Sequence, residues 1–390
     1  MHSSVATVPL KLIEAAYEFR FSVCDRSDLH IALPHTIWDH PTRFHLVEVS
    51  IPALEIVLER LEQLELDFLL LPGDLTQHGE PENHQWLAER LAKLPYPAYV
   101  IPGNHDVPEQ FATERAIGLA DFPSYYQKFG YDDPARVYYT QEILPGVRLI
   151  GLNSNFFDAE GKQIGTGYLD DEQFNWLREV LAGTQDELVI VMIHHNVVEH
   201  LPGQSRDGLG RRYMLKNAPE LLSLLQSAGV QLIFTGHLHV QDIACHEGIY
   251  DITTGSLVSY PHPYRVLHFR QDEQGKRRLQ IESDRVAALP GWEDLQNLSR
   301  EWMGDRSRPF MLKLLTQPPL NLSLAEAETL VPDLRYFWAD IANGDALFDF
   351  PKFPNAARQY FERFSAKDHS GEPALIDNYT TLVLGEGSKN

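Results

Sequence analysis

Residues 98–106 have the sequence AYVIPGNHD, in which a short apolar run leads directly into a polar loop. Apolar runs of this length bounded by polar turns are typical of strands that are buried on both faces. The pattern recurs along the chain at 68–71, 98–101, 149–152, 188–193 and 232–235. Loops at the carboxyl ends of such strands form the ligand crevice of open α/β sheets. We therefore expect the polar loops to meet at one sheet edge.

Helical patterns alternate with these strands. Ser50 is placed to cap one helix, and Asp170 to cap another, with Gln173 at the capping-box position. A third helix is predicted over 219–228, with Gly229 as its C-terminal cap. The alternation predicts a layered α/β domain.

The pattern changes towards the C-terminus. Residues 249–254, 265–270 and 278–282 follow one another without helices and predict an antiparallel continuation of the sheet. Helices are then predicted over 292–303, 309–315, 322–330 and 356–364. We therefore expect a catalytic domain over 19–288 and a helical appendage over 289–390. Large aromatic residues in the appendage favour its packing on that domain; they are Trp292, Trp302, Phe310, Tyr336, Phe337 and Trp338.

Composition restricts the partners and the compartment. The 390 residues carry a net charge of -22, which disfavours binding to a nucleic-acid polymer or an anionic membrane. There are two cysteines, so a disulfide framework is not expected and a reducing compartment fits. No apolar stretch approaches the roughly 20 residues that span a bilayer, and 5–17 lacks the pattern of a signal peptide. We expect a cytoplasmic protein and leave open a homo-oligomer.

Five polar segments carry the residues that bind transition metals well. They are Asp28-Leu29-His30, Gly73-Asp74, Gly103-Asn104-His105-Asp106, His194-His195-Asn196 and Gly236-His237-Leu238-His239. In an extended backbone, side chains two residues apart point to the same side. Asp28 and His30 would then face one ion together, while Leu29 points into the core. The same holds for the histidines on either side of Leu238. A single Asp can bridge two ions in such a site.

These segments resemble the sequence blocks of the calcineurin-like metallophosphoesterase superfamily. All five blocks are present in order, and the resemblance covers about residues 19 to 285. Within the superfamily, residues 73–76, 99–106 and 167–170 are similar to bacterial cyclic-nucleotide and glycerophosphodiester phosphodiesterases. The resemblance implies a four-layer α/β/β/α core and a small phosphoester substrate.

The resemblance also implies residue roles. The first metal would be held by Asp28, His30 and His239; the second would be held by Asn104, His194 and His237. Asp74 would bridge two divalent or mixed-valence ions, Fe, Mn or Zn. His105 would face the phosphoryl group, and Asp106 would orient it. The family pattern favours His194 over His195 as the ligand, which leaves His195 as a candidate substrate contact. A hydroxide bridging the ions would attack phosphorus in line.

Several alternatives stay open. A phosphomonoesterase or phosphoprotein phosphatase would use the same site, and some proteins of this fold are binding scaffolds. One departure from the family pattern is the charged pair Asp25-Arg26 before the first block, which either shifts the register near Asp28 or pairs internally.

Two loops near the blocks also have two interpretations. His35, His40 and His45 belong either to a substrate-binding loop beside the metals or to a solvated loop. The basic segment 201–212 either contacts phosphate or is simply mobile.

Overall fold

A computed structural model of the chain describes residues 19–25, 27–38, 43–185, 188–206, 210–368 and 370–385. Its strands are β1 (Phe19–Asp25), β2 (Phe68–Leu71), β3 (Ala98–Val100), β4 (Tyr139–Leu144), β5 (Val147–Gly151), β6 (Phe156–Phe157), β7 (Gln163–Ile164), β8 (Leu188–Met192), β9 (Leu232–Thr235), β10 (Asp242–His246), β11 (Ile249–Thr253), β12 (Pro263–Gln271), β13 (Arg277–Arg285) and β14 (Tyr379–Leu384). Its α-helices are α1 (Ser50–Leu61), α2 (Pro81–Leu91), α3 (Phe122–Tyr125), α4 (Asp171–Gly183), α5 (Ala218–Ser227), α6 (Leu295–Thr316), α7 (Leu324–Leu330), α8 (Phe337–Asn343) and α9 (Asn355–Glu362).

Most strands belong to one of two mixed sheets. The first has the order β14-β13-β12-β1-β2-β3 and the second has the order β10-β11-β9-β8-β5-β4, while β6 and β7 form a separate pair. Strands β1, β2 and β3 are parallel to one another, as are β5, β8, β9 and β11. The carboxyl ends of each parallel set therefore lie at one edge of its sheet.

Strand β8 shows how the layers are built. Ile190 and Met192 belong to the core that also contains the first sheet and α1, whereas Val191 and Ile193 belong to a second core with α4 and α5. Successive side chains of a strand point to opposite faces, so β8 is covered on both. This explains its continuous apolar run. The predicted four-layer α/β/β/α fold is confirmed.

Two of the predicted helix caps are confirmed. The Asp170 carboxylate accepts a hydrogen bond from the Gln173 backbone N–H (2.8 Å), and Gly229 follows α5 with a φ of +73°. The Ser50 cap is wrong. A 3₁₀ turn over Val47–Val49 runs straight into α1, which places Ser50 inside the helix, where its hydroxyl accepts from Ala32 N–H (3.2 Å).

The prediction for the later strands is partly wrong. β12 and β13 extend the first sheet antiparallel, as expected. β11, however, lies in the second sheet and pairs parallel with β9. The reason is the unpredicted strand β10, which forms a hairpin with β11 at the edge of that sheet.

The C-terminal part contains helices α6 to α9 and then returns to the first sheet. α6 is continuous through Pro309, so the predicted break is wrong; Met303, Met311 and Leu315 on both sides of the proline share one core. β14 pairs with β13, a strand that the helical prediction missed. Trp302 donates its indole N–H to the Arg43 carbonyl (3.2 Å), which joins the helices to the sheet layers. Among the described helices, none combines the length and the apolar character that a membrane span requires.

Candidate metal centre

Loops from both sheets converge at the carboxyl ends of the parallel strands. Two groups of side chains could each hold an ion, with their ligand atoms within 4.8 Å of one another. The first contains Asp28, His30, Asp74 and His239; the second contains Asp74, His194 and His237. Asp74 belongs to both groups, as a bridging residue must. The structure thus brings together side chains that are more than 200 positions apart in the sequence.

The Asp74 carboxylate lies at the middle of this arrangement. Its Oδ1 is 3.3 Å from His194 Nε2, and its Oδ2 is 3.9 Å from His30 Nε2. The Asn104 side-chain oxygen is 3.0 Å from the same His194 nitrogen, which adds Asn104 to the second group. Asp74 Oδ2 is buried and has no hydrogen-bond partner. A buried, unpaired carboxylate oxygen is costly unless a cation completes it.

The donor atoms of the first group are as closely spaced. His30 Nε2 is 3.4 Å from His239 Nε2, and Asp28 Oδ1 is 3.2 Å from that His239 nitrogen. These separations suit atoms that share one ion with bonds of about 2.0–2.2 Å. The mixed imidazole, carboxylate and amide donors therefore fit two transition-metal ions.

Outer hydrogen bonds orient the ligand imidazoles. His194 donates its Nδ1–H to the Pro72 carbonyl (2.8 Å), and His237 donates its Nε2–H to the Arg212 carbonyl (3.3 Å). A carbonyl only accepts, so these contacts fix the tautomer and leave the opposite ring nitrogen of each histidine for the metal.

Burial controls the charge of the ligand set. It lowers the pKa of His30 and of His237 well below the usual range, because the surrounding histidines reinforce the desolvation of each ring. The pKa of His194 is also lowered by burial, but the Asp74 carboxylate outweighs this effect and raises it to about 9. Without a metal, His194 therefore holds a proton against Asp74. A metal ion must displace that proton in order to bind.

The backbone at the ligands is unusual. Asp28, His30, Asp74, His237 and His239 all have positive φ, between 45° and 67°. Our expectation of an extended backbone at Asp28-Leu29-His30 and His237-Leu238-His239 is wrong, because the polar residues of both segments have left-handed φ. Leu29 and Leu238 are buried, as predicted. Non-glycine residues at positive φ are uncommon and cluster at functional sites.

Two glycines permit this close approach of the loops. A Cβ on Gly103 would lie 2.1 Å from the Asp74 backbone nitrogen, and one on Gly236 would lie 1.7 Å from the Ser27 hydroxyl. Any side chain at either position would push a ligand loop out of place.

His105 and Asp106 differ in position and in function. His105 is half-buried at the wall of the cavity over the metal groups, and its Nδ1–H donates to the Gln77 carbonyl (2.7 Å). The prediction that Asp106 orients His105 is therefore wrong. Asp106 is fully buried and accepts from the backbone N–H groups of Gly103, Leu75 and Thr76 (2.8, 3.1 and 2.8 Å). It thus ties the Asp74 and Asn104 loops together. Burial, together with the nearby Asp74, raises its pKa to about 7.

His195 lies behind the metal groups. It is buried, its Nδ1 is hydrogen-bonded to the Ser154 hydroxyl (2.8 Å), and its ring packs at 4.4 Å from the ring of His237. Burial lowers its pKa to about 3. A direct substrate contact by His195 stays a prediction.

The loop histidines have three different positions. His45 stacks on His30 with ring centroids 4.7 Å apart, and it forms a further possible ligand group with His30 and His239. His35 is exposed and pairs with Glu82. His40 lies outside the described residues. The sequence grouped His45 with His35 and His40 in a loop of two possible interpretations and did not identify it as a possible ligand. Its signal was a histidine directly between Phe44 and Leu46, in an apolar stretch that leads into α1.

The charged residue Asp25, which departs from the family pattern before the first block, does not shift the register of β1. Asp25 pairs with Leu70 on one side and with Arg265 on the other, as the last residue of β1. Asp25 is buried and accepts a hydrogen bond from the Thr254 hydroxyl. Burial lowers the pKa of the Arg265 guanidinium, and the nearby Asp25 carboxylate partly opposes this effect. Arg26 lies outside the described residues. The charge of Asp25 therefore joins a buried network beside the site.

The chain is similar to several known proteins. Residues 27–241 match the family described as calcineurin-like phosphoesterase. A Synechococcus protein named "Probable cyclic nucleotide phosphodiesterase" is 33% identical over 240 residues, which is 60% of this chain and 80% of that protein. An Arcobacter nitrofigilis protein named "Probable glycerophosphodiester phosphodiesterase" is 27% identical, over 60% of this chain and 76% of that one. A dimetal phosphatase structure from Danio rerio, 15% identical, covers 67% of this chain and 95% of its own, with a TM-score of 0.49.

Proposed function

Because the chain belongs to the calcineurin-like phosphoesterase family, we propose that it is a dimetal phosphodiesterase acting on a small phosphodiester. The observation that carries the proposal is the pair of ligand groups that share the buried Asp74 carboxylate. The relatives named above are both phosphodiesterases by name.

Each ligand has a proposed role. Asp28, His30 and His239 hold the first ion, with His45 as an additional imidazole; Asn104, His194 and His237 hold the second; Asp74 bridges the two. Ions of Fe, Mn or Zn bound there supply Lewis-acid stabilisation and a lowered pKa for attacking water. Asn104 is neutral, which limits the negative charge near an anionic substrate.

His105 is the proposed catalytic residue. Its Nδ1 is held by the Gln77 carbonyl, so Nε2 remains for the phosphoryl group or the leaving oxygen. A protonated His105 would stabilise the developing charge and donate a proton to the departing alkoxide. Asp106 is a positioning residue. It acts through two loops, because its carboxylate accepts hydrogen bonds from backbone N–H groups in both of them.

The test compares a diester with a monoester. We expect the Mn-loaded protein to hydrolyse bis-p-nitrophenyl phosphate faster than p-nitrophenyl phosphate, and to bind two ions per chain by elemental analysis. Preference for the monoester would favour a phosphatase instead. Two bound ions without hydrolysis of either ester would favour a binding scaffold.

The remaining expectations stay proposals. We place the boundary of the catalytic part near residue 288, although the later strand β14 pairs with the first sheet. The cytoplasmic location predicted from the number of cysteines stays a proposal. The oligomeric state is left to measurement.

A further inference from the structure

One cavity connects the metal groups with the C-terminal helices. It has a volume of ≈ 430 Å³, and its metal end is lined by Asp74, Asn104, His105 and His239. Its other end is lined by side chains of α6, α8 and α9 and of the turn that follows α9. These are Phe310, Leu314, Phe337, Trp338, Tyr360 and Phe364. We call this second end the aromatic chamber. A cavity of this size can bury most of a small organic ligand.

The aromatic chamber is mostly apolar and already organised; its one charged neighbour among the described lining residues is Arg363, whose guanidinium stacks over Tyr360 (4.3 Å) and Phe364 (5.1 Å). Phe337 and Tyr360 are buried, and all six side chains pack in or against one hydrophobic core under the helices. Phe310 and Trp338 meet edge to face at 5.7 Å. A half-buried aromatic wall that faces a cavity retains apolar surface for a ligand to cover.

Polar groups lie at the metal end of the cavity. Arg212 lines the cavity close to the ligand His237, whose ring nitrogen contacts the Arg212 carbonyl. The Gln204 amide, also in the lining, is already used within its own loop, since it accepts from His200 and Leu201 N–H and donates to Asn196. The cavity therefore has a charged end for a phosphate and an apolar end for the rest of the substrate.

We propose that the substrate is an amphiphilic phosphodiester whose hydrocarbon chain occupies the aromatic chamber while its phosphate lies on the metal groups. This inference rests on the proposed function. A nucleobase fits less well, because its polar edge needs several donors and acceptors, whereas the six side chains of the chamber offer only the Tyr360 hydroxyl and the Trp338 indole N–H. The chamber residues also lie beyond residues 27–241, so they are an addition to the part of the chain that matches the family.

The reaction itself is simple hydrolysis. Water forms a new bond to phosphorus, one phosphorus–oxygen ester bond breaks, and the leaving oxygen takes a proton and departs as an alcohol. The products are that alcohol and a phosphate monoester, and no other reactant is needed.

A chain-length series tests the proposal. Methyl, butyl and octyl p-nitrophenyl phosphates, kept below their micelle concentrations, all release p-nitrophenol. Burial of apolar area should raise kcat/KM about fourfold for each methylene covered. We expect the octyl ester to exceed the methyl ester by at least about tenfold. Leu314→Lys should abolish most of that ratio. Leu298→Lys, on the same helix at an exposed position, should preserve it.

A second measurement covers variants that fold poorly and substrates that do not turn over. Calorimetric binding of octyl and methyl phosphate to the metal-loaded protein should show the same preference, lost in Trp338→Ala. Hydrolysis of all three diesters with no dependence on chain length would overturn the inference and leave the proposed function standing. Faster hydrolysis of 3',5'-cyclic AMP than of the octyl ester would also overturn it. If no diester is hydrolysed, the proposed function is refuted. If octyl phosphate and methyl phosphate also bind equally well, the inference about the aromatic chamber is refuted too.

Discussion

The metal centre and the aromatic chamber are built in opposite ways. The metal centre takes one or two residues from each of several strand ends and holds five of its ligands at positive φ. The chamber takes side chains from ordinary helical positions in α6, α8 and α9 and the following turn. Backbone geometry thus sets the first region, and side-chain packing sets the second. The metal centre draws on segments spread from residue 28 to residue 239, whereas the chamber comes from the single stretch 310–364.

The two regions meet at Leu238. This residue lies between the ligands His237 and His239, yet its side chain is buried in the core formed by the C-terminal helices. The next residues continue the contact, since Gln241 N–H donates to the Ala342 carbonyl (3.1 Å). The C-terminal helices therefore pack against the loop that carries His237 and His239, and they also line the cavity beside it.

The largest effect should come from the shared ligand. Asp74→Asn keeps the size and the left-handed backbone but removes the bridging charge. We expect loss of bound metal and a fall in kcat of at least about 10³-fold, which is ~4 kcal/mol of barrier. Elemental analysis and steady-state kinetics measure both. Two ions per chain with near-normal turnover would show that Asp74 is not the bridge.

A pair of histidine variants separates ligand from catalyst. His105→Ala should retain both ions while kcat falls by ~10²–10⁴-fold, the range for loss of a general acid. His194→Ala should deplete the second ion instead. The reverse pattern of metal loss would exchange the two roles.

His45 tests how far the metal centre extends into the neighbouring loop. His45→Ala should weaken binding at the first site by ~10–100-fold, as the loss of a supporting ligand does, and should leave the second site intact. His35→Ala is the control, because His35 is exposed and pairs with Glu82. Competition with a metal chelator measures the affinity. Identical curves for both variants would remove His45 from the site.

Leu238→Ala tests the link between the regions. Truncation of a buried leucine should cost about 3 kcal/mol of stability. If the helices support the ligand loop, the metal affinity should fall as well. Leu225→Ala removes an equally buried leucine of α5 from a different core, so it should lower the melting temperature and spare the metal affinity. Equal affinity in both variants would show that the two regions are independent.

The smallest effect on activity should come from His200. Burial lowers its pKa, but Asp251 and Asp242 together raise it to about 10. The unfolded value is about 6.5. The charged contact therefore stabilises the fold fully below pH 6.5, and this contribution is lost as the pH rises through 10. His200→Gln should lower the melting temperature at pH 6–7, with a difference from wild type that shrinks towards pH 10. A constant difference would contradict this.

Much of the candidate metal centre could be located in the sequence because most of its residues stand in short polar segments after an apolar run. The roles of Asp74, Asn104 and His194, however, came from the family resemblance, as did the choice of His194 over His195. Gln77 was not predictable as the partner of His105, because a backbone carbonyl leaves no mark in the sequence. His45 was ambiguous because its burial depends on distant loops. Strand β11 was assigned to the wrong sheet, since an apolar run does not specify its partner.

The left-handed turns at the ligands also limit how the chain can change over generations. Asp, Asn, His and Gly adopt such a backbone at low cost, whereas β-branched residues do not. A lineage that abandoned metal chemistry would still be restricted to this small set at positions such as 28, 74 and 237. Its sequence would keep similar residue types at these positions after metal binding was lost. The residue types of the motif therefore reflect the backbone conformation of the loops as well as metal binding.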